Sequence, residues 1–161
     1  MGIARTALCT AMWLMGAAGV AAPATAAPAD AALRSAATKE QPAVIDTLRE
    51  LVTTESGSTD HEGVATLMTY LDQRLRALDA KVDRVASATD GPDLVRGVFT
   101  GNGALKVMLI AHADTVYDRG TLAKEPYHQK GNLLYGPGIA DDKGGIAVIL
   151  HAMALLRARG W

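Results

Sequence analysis

Six residues constrain this chain more than any others: Lys106-Val107-Met108-Leu109-Ile110-Ala111, followed at once by His112-Ala113-Asp114. A short unbroken apolar run with turn residues before it (Gly101-Asn102-Gly103) is the pattern of a strand covered on both faces. Such a strand needs helical layers above and below it, and the flanking sequence supplies them. Val44, Ile45, Leu48, Leu51 and Val52 recur at helical spacing, as do Val64, Leu67, Met68, Leu71, Leu75 and Leu78. Thr38 with Gln41, and Thr59 with Glu62, have the form of capping boxes, with Pro42 near the first start. Residues 144–159 form a third helical pattern, closed by Gly160. Strand-like segments lie at 81–86 and 94–100, and a hairpin is expected from 127–129 and 133–135 around Lys130-Gly131-Asn132. The expected fold is α/β, with helices layered on a mixed, largely parallel sheet.

Composition enters where partners and ligands are concerned. The chain has 161 residues, 16 Lys+Arg against 17 Asp+Glu, and a single cysteine. With charge balanced and no basic cluster, nucleic acid is not an expected partner. One cysteine excludes a disulfide framework. Residues 1–26 carry Arg5, an apolar run from Ala7 to Ala22, and Ala24-Thr25-Ala26, the parts of a cleavable signal peptide. The expected location is therefore secreted or periplasmic, with no membrane contact after cleavage. Residues 27–37 read as a linker or the first turn of a helix, and 38–161 as the folded part. Cleavage removes Cys9, so any metal would have to be held by His, Asp or Glu.

Two segments carry the chemistry. In α/β proteins ligands gather at the carboxyl ends of strands, where His112 would lie. Alternation points His112 and Asp114 to the same side, so the carboxylate can orient the imidazole while the other ring nitrogen binds a metal. A satisfied structural His–Asp pair is an equal reading of those residues alone. The second segment is Tyr135-Gly136-Pro137-Gly138-Ile139-Ala140-Asp141-Asp142-Lys143-Gly144-Gly145. Adjacent carboxylates in a Gly-rich turn repel unless a cation neutralises them; the alternative is a helix N-cap. The loop lacks the glycines of a dinucleotide fingerprint and the Ser/Thr of a P-loop, so nucleotide binding is discounted. Together the segments can bring His112 and Asp141 to one metal, with zinc the leading candidate for an N/O ligand set. The remaining histidines read as structural: His61 at a helix start, His128 exposed, His151 packed. Lys143 reads as solvated or paired with a carboxylate.

The stretches HADTVY (112–117), YGPGIADDKGG (135–145) and AVILHA (147–152) resemble the di-zinc exopeptidase family that includes aminoacylase, acetylornithine deacetylase and succinyl-diaminopimelate desuccinylase. Residues 40–48 and 62–78 are similar to its carboxypeptidase members as well. The resemblance implies that His112 ligates one zinc, Asp114 orients His112, Asp141 bridges two zincs, and the Asp141–Asp142 peptide is cis. The implied reaction is hydrolysis, by zinc-activated water, of an amide bond next to a free carboxylate, with release of a C-terminal glutamate as one form. Small molecules or peptides with a free carboxylate are the implied substrates, and the full protein is expected to form homodimers. The family's Glu-Glu pair, its later acidic ligand and its C-terminal histidine ligand have no counterpart here, so no general base is present in this chain. The expectation is an N-terminal part of the catalytic domain, inactive alone. Non-catalytic alternatives are a metal-binding or remnant module of the same fold; enzymatic alternatives are deacylase or aminopeptidase specificity.

Overall fold

The computed structural model describes residues 30–88 and 90–160. The expected signal peptide lies outside the described residues.

The described residues open with helix α1 (Ala31–Val52), whose N-cap Asp30 accepts hydrogen bonds from the amides of Ala32 and Leu33 at 2.8 and 3.1 Å. The helix thus starts well before the Thr38 box, and the segment read as a linker or the first turn of a helix is helical from Ala31 onward. Ala31, Ala32, Ala36 and Ala37 are strong helix formers, and Asp30 satisfies the first free amides. Together they carry the helix through Pro42, which lies inside it. Thr38 donates its hydroxyl to the Arg34 carbonyl and caps nothing. Helix α2 (His61–Ala77) likewise begins one residue later than its box implies. Asp60, not Thr59, is the N-cap, accepting from the Gly63 amide at 3.1 Å.

Strands β1 (Lys81–Val85) and β2 (Leu94–Val98) pair antiparallel, with Val82 opposite Gly97. Strands β3 (His128–Lys130) and β4 (Leu133–Tyr135) form the expected hairpin, and the rings of His128 and Tyr135 stack with centroids 4.7 Å apart. A turn at Ile139–Lys143 leads into helix α3 (Gly144–Ala158), which ends before Gly160 at φ 80°. The architecture is mixed α/β. None of the helices described is long and apolar enough to cross a membrane.

The core lies between α1 and α3, with Leu67 of α2 and Ala113 joining it. Leu51, Val52 and Ala147 are fully buried. A polar chain runs beside this apolar contact. Arg74 donates to the Thr47 hydroxyl, Thr47 Oγ1 lies 2.8 Å from His151 Nε2, and His151 Nδ1 lies 2.7 Å from Glu40. With Arg74 donating to Thr47, the Thr47 hydroxyl donates to Nε2 and the Nδ1 proton goes to Glu40. All three helices are thereby tied by satisfied polar groups, and His151 has the structural role expected of it.

The largest departure concerns the run that led the sequence reading. Residues 104–110 form no strand and are exposed, Val107 at 82% and Ile110 at 77%. The described strands are two antiparallel pairs; the one parallel contact is an isolated bridge between Gly57 and Thr115. A doubly covered strand is made by its neighbours, and among the described residues no strand lies beside this run. Leu51→Ala should therefore cost about 2–5 kcal/mol of stability, as large core truncations do. Leu109→Ala should stay within about 0.5 kcal/mol, as exposed substitutions do. Urea unfolding of both variants of the 161-residue chain measures the contrast.

Candidate metal centre

Below the apolar run the chain becomes anchored again, and the anchor is the turn after α1. Ser56 donates its hydroxyl to the Ala113 carbonyl at 2.7 Å, and its own carbonyl accepts the Thr115 amide at 2.8 Å. The Ser58 amide donates to the Thr115 carbonyl at 2.8 Å. These bonds close a short ladder that fixes the backbone of residues 113–115, although its two sides are far apart in sequence.

That ladder sets the side chains of His112 and Asp114. Ser58 donates its hydroxyl to one carboxylate oxygen of Asp114 at 2.6 Å. The other carboxylate oxygen lies 3.3 Å from His112 Nδ1, which also sits 3.0 Å from the Asp114 backbone carbonyl. The hydrogen bond from Ser58 is the main reason the Asp114 carboxyl is held below its usual range, with His112 adding to it and burial opposing it. Two oxygens of Asp114 therefore face Nδ1 of the imidazole, its carbonyl being the nearer.

The opposite ring nitrogen, Nε2, faces Asp141 Oδ1 at 2.8 Å. This contact raises the His112 pKa above its ordinary value, with the oxygens of Asp114 helping and burial working against them. The Asp141 side chain is 81% exposed and that of His112 50%, so the pair is open to a ligand from solvent.

The loop bearing Asp141 is built by glycine. Gly138 has φ 73°, and a Cβ there would meet Thr115 Cγ2 at 2.5 Å. Only glycine lets the loop lie this close to the His112 segment. The Asp141–Asp142 peptide is cis, as the family resemblance implies. Helix α3 has no side-chain cap, so the N-cap reading of the two aspartates does not describe this turn. Lys143 also differs from expectation. It is 1% exposed, and its Nζ donates to the Thr54 carbonyl at 2.7 Å. Burial lowers its pKa to about 8, against a smaller opposite pull from Glu55.

His112, Asp114 and Asp141 are thus brought together, while His61 and His128 stay exposed and apart. Among the described residues no group of three or more His, Cys, Asp or Glu side chains is placed to hold a metal ion. Sequence reasoning missed Ser56, Ser58 and the burial of Lys143. Ser56-Gly57-Ser58 reads locally as a helix breaker, and nothing near it reveals partners more than fifty residues away.

The turn after α1 also lines an open cleft of about 420 Å3, with Glu55, Asp60, Glu62 and Arg119 at its walls. Arg119 pairs with Asp60 at 2.6 Å and Glu62 at 3.1 Å. Glu55 accepts from the amides of Gly120 and Leu122 at 2.8 and 2.9 Å.

Residues 108–161 match the model of peptidase family M20/M25/M40. The chain is 46% identical over 160 residues to carboxypeptidase G2 of Pseudomonas sp. (strain RS-16), covering 98% of this chain and 38% of that protein. It is 33% identical over 121 residues to acetylornithine deacetylase of Salmonella paratyphi B (strain ATCC BAA-1250 / SPB7), covering 70% of this chain and 31% of that protein. The chain therefore spans well under half the length of these relatives.

The bonds to Gly120 and Leu122 hold the Glu55 carboxyl below its usual range. A depressed folded pKa means that the stabilisation is present above the unfolded value and is lost as pH falls through the folded one. Amide exchange at Gly120 and Leu122, corrected for intrinsic rate, should lose protection across that acid window. In Glu55→Gln the loss with falling pH should disappear.

Proposed function

This chain resembles the carboxypeptidase G-like members of peptidase family M20/M25/M40, and on that footing we propose that it supplies part of the metal centre of a hydrolase. The observation that carries the reading is the approach of His112 Nε2 to Asp141 Oδ1 at 2.8 Å, with Nδ1 turned toward Asp114. An imidazole held by Asp114 at one ring nitrogen, with the other turned toward a second carboxylate, is an arrangement in which a cation could replace the proton between ring and carboxylate. The donor set is nitrogen and oxygen alone, which suits zinc.

In this proposal His112 would hold one ion, Asp141 would be shared between two, and Asp114 would hold the ring. When bound, the metal would supply Lewis-acid polarisation of the scissile carbonyl and acidify a water toward neutrality. The chain's own work is positional. Ser58 fixes the Asp114 carboxylate, the two Asp114 oxygens fix the His112 ring plane, and the Gly138 turn delivers Asp141. The substrate is a small molecule or peptide whose amide bond lies next to a free carboxylate, with C-terminal glutamate as one leaving group. A catalytic zinc takes about three protein ligands and a water, so His112 and Asp141 furnish only part of the set. The remaining ligands and the general base would come from sequence beyond the matched portion. So would the sheet neighbours of residues 105–111, which would complete a largely parallel layer. A secreted or periplasmic location and a homodimer of the complete protein belong to the same proposal.

Similarity to acetylornithine deacetylase keeps a deacylase specificity beside the carboxypeptidase one.

Zinc titration of the chain, followed by the imidazole signals of His112, tests the centre. Half-saturation should be reached in the wild type and lost in His112→Ala, as judged by calorimetry, and in Asp141→Asn. Asp114→Asn should weaken binding about 10–100-fold through loss of orientation. Wild-type signals that ignore zinc would contradict the reading. Hydrolysis of an N-acyl glutamate by the 161-residue chain alone, abolished by chelator, would contradict its partial character.

A further inference from the structure

The Lys143 side chain has no part in the chemistry above, yet it is the largest fully buried side chain among the described residues. Burying an ammonium is costly unless something specific receives it. What receives it here is the Thr54 carbonyl, just past the C-terminal end of α1. Helix carbonyls converge at that end with partial negative charge, so the site suits a cation. An alkyl side chain could have filled the same space without desolvating a charge. The ammonium adds a directional link between two segments 89 residues apart.

The link has a definite mechanical sense. One of its ends is the turn 54–58, whose Ser56 and Ser58 already fix the Ala113–Thr115 backbone and the Asp114 carboxylate. Its other end is the loop that carries Asp141. Along the way the Lys143 stem lies under Gly138, where an added Cβ would stand 3.4 Å from Lys143 Cδ, and the Lys143 amide donates to the Gly138 carbonyl at 3.0 Å. His112 and Asp141 are therefore measured off from the same turn, one through serine hydroxyls and the other through a lysine.

We infer that Lys143 is a positioning residue, a strut from the end of α1 that sets Asp141 against His112. Its bearing on zinc rests on the proposed metal centre; its bearing on the His112–Asp141 contact does not. Lys143→Met keeps the length and the apolar stem but removes the donor.

The test uses the 161-residue chain with nitrogen-15 labelled histidine. In zinc-free solution the His112 Nε2 signal of Lys143→Met should move to the position it takes in Asp141→Asn. Lys143→Gln, which keeps a shorter donor, should fall between that position and the wild type; it carries the comparison if the methionine variant does not fold. In zinc titrations Lys143→Met should need about 10–100-fold more zinc than wild type for the same His112 response, the size expected when support behind a ligand is lost. A folded variant whose His112 signals match wild type, even with a lowered melting temperature, would overturn the inference and leave Lys143 as packing alone. If the wild type ignores zinc, the metal reading fails while the zinc-free comparison still decides the role of Lys143.

Discussion

The paired hydrogen bonds of Ser56, hydroxyl to the Ala113 carbonyl and carbonyl to the Thr115 amide, are the constraint on which the rest of the centre depends. Both bonds are buried, so neither partner can turn to water without loss. Without them the segment after the exposed apolar run would have no fixed backbone, and His112 no fixed direction. The turn holding Ser56 owes its own position to the buried end of α1, where Leu51 and Val52 are sealed against α3. Hydrophobic packing places the turn, the turn places the His112 segment, and side-chain orientation comes last. Positional accuracy at the imidazole is inherited from the helix contact.

Much of this was legible in the sequence, for a physical reason. Amphipathic stripes such as Val64–Leu67–Leu71 and single strands such as 81–85 and 94–98 are decided by local periodicity, and these formed. The proximity of His112, Asp114 and Asp141 was also legible, because each combines an unusual residue type with an unusual local setting. The failures share a cause as well. Burial of Lys143 depends on a carbonyl 89 positions away, and the hydroxyls of Ser56 and Ser58 on partners almost as distant. Local pattern has no access to such pairs. The start of α1 was misplaced because Thr38 and Gln41 satisfy the form of a box, while Asp30 before an alanine-rich run is the stronger start.

The polar chain Glu40–His151–Thr47–Arg74 has a bearing on how rigid this arrangement is. Apolar helix faces tolerate small rotations, since one methyl contact can replace another. A buried row of matched donors and acceptors does not, because a shift of one residue leaves several of them unpaired. The chain therefore fixes the rotation of α1 relative to α3 and α2. The end of α1 is thereby fixed too, and with it the turn from which the side chains of His112, Asp114 and Asp141 are set.

The apolar run at 105–110 acts in another way once its exposure is considered as a property of the surface. Val107, Met108, Leu109 and Ile110 lie open to solvent in sequence, with Lys106 the one charge among them. Extended chain with exposed β-branched and long aliphatic residues and few charges is a template for edge-to-edge pairing. In the 161-residue chain that strip is accordingly the surface best suited to pair with a second copy of itself.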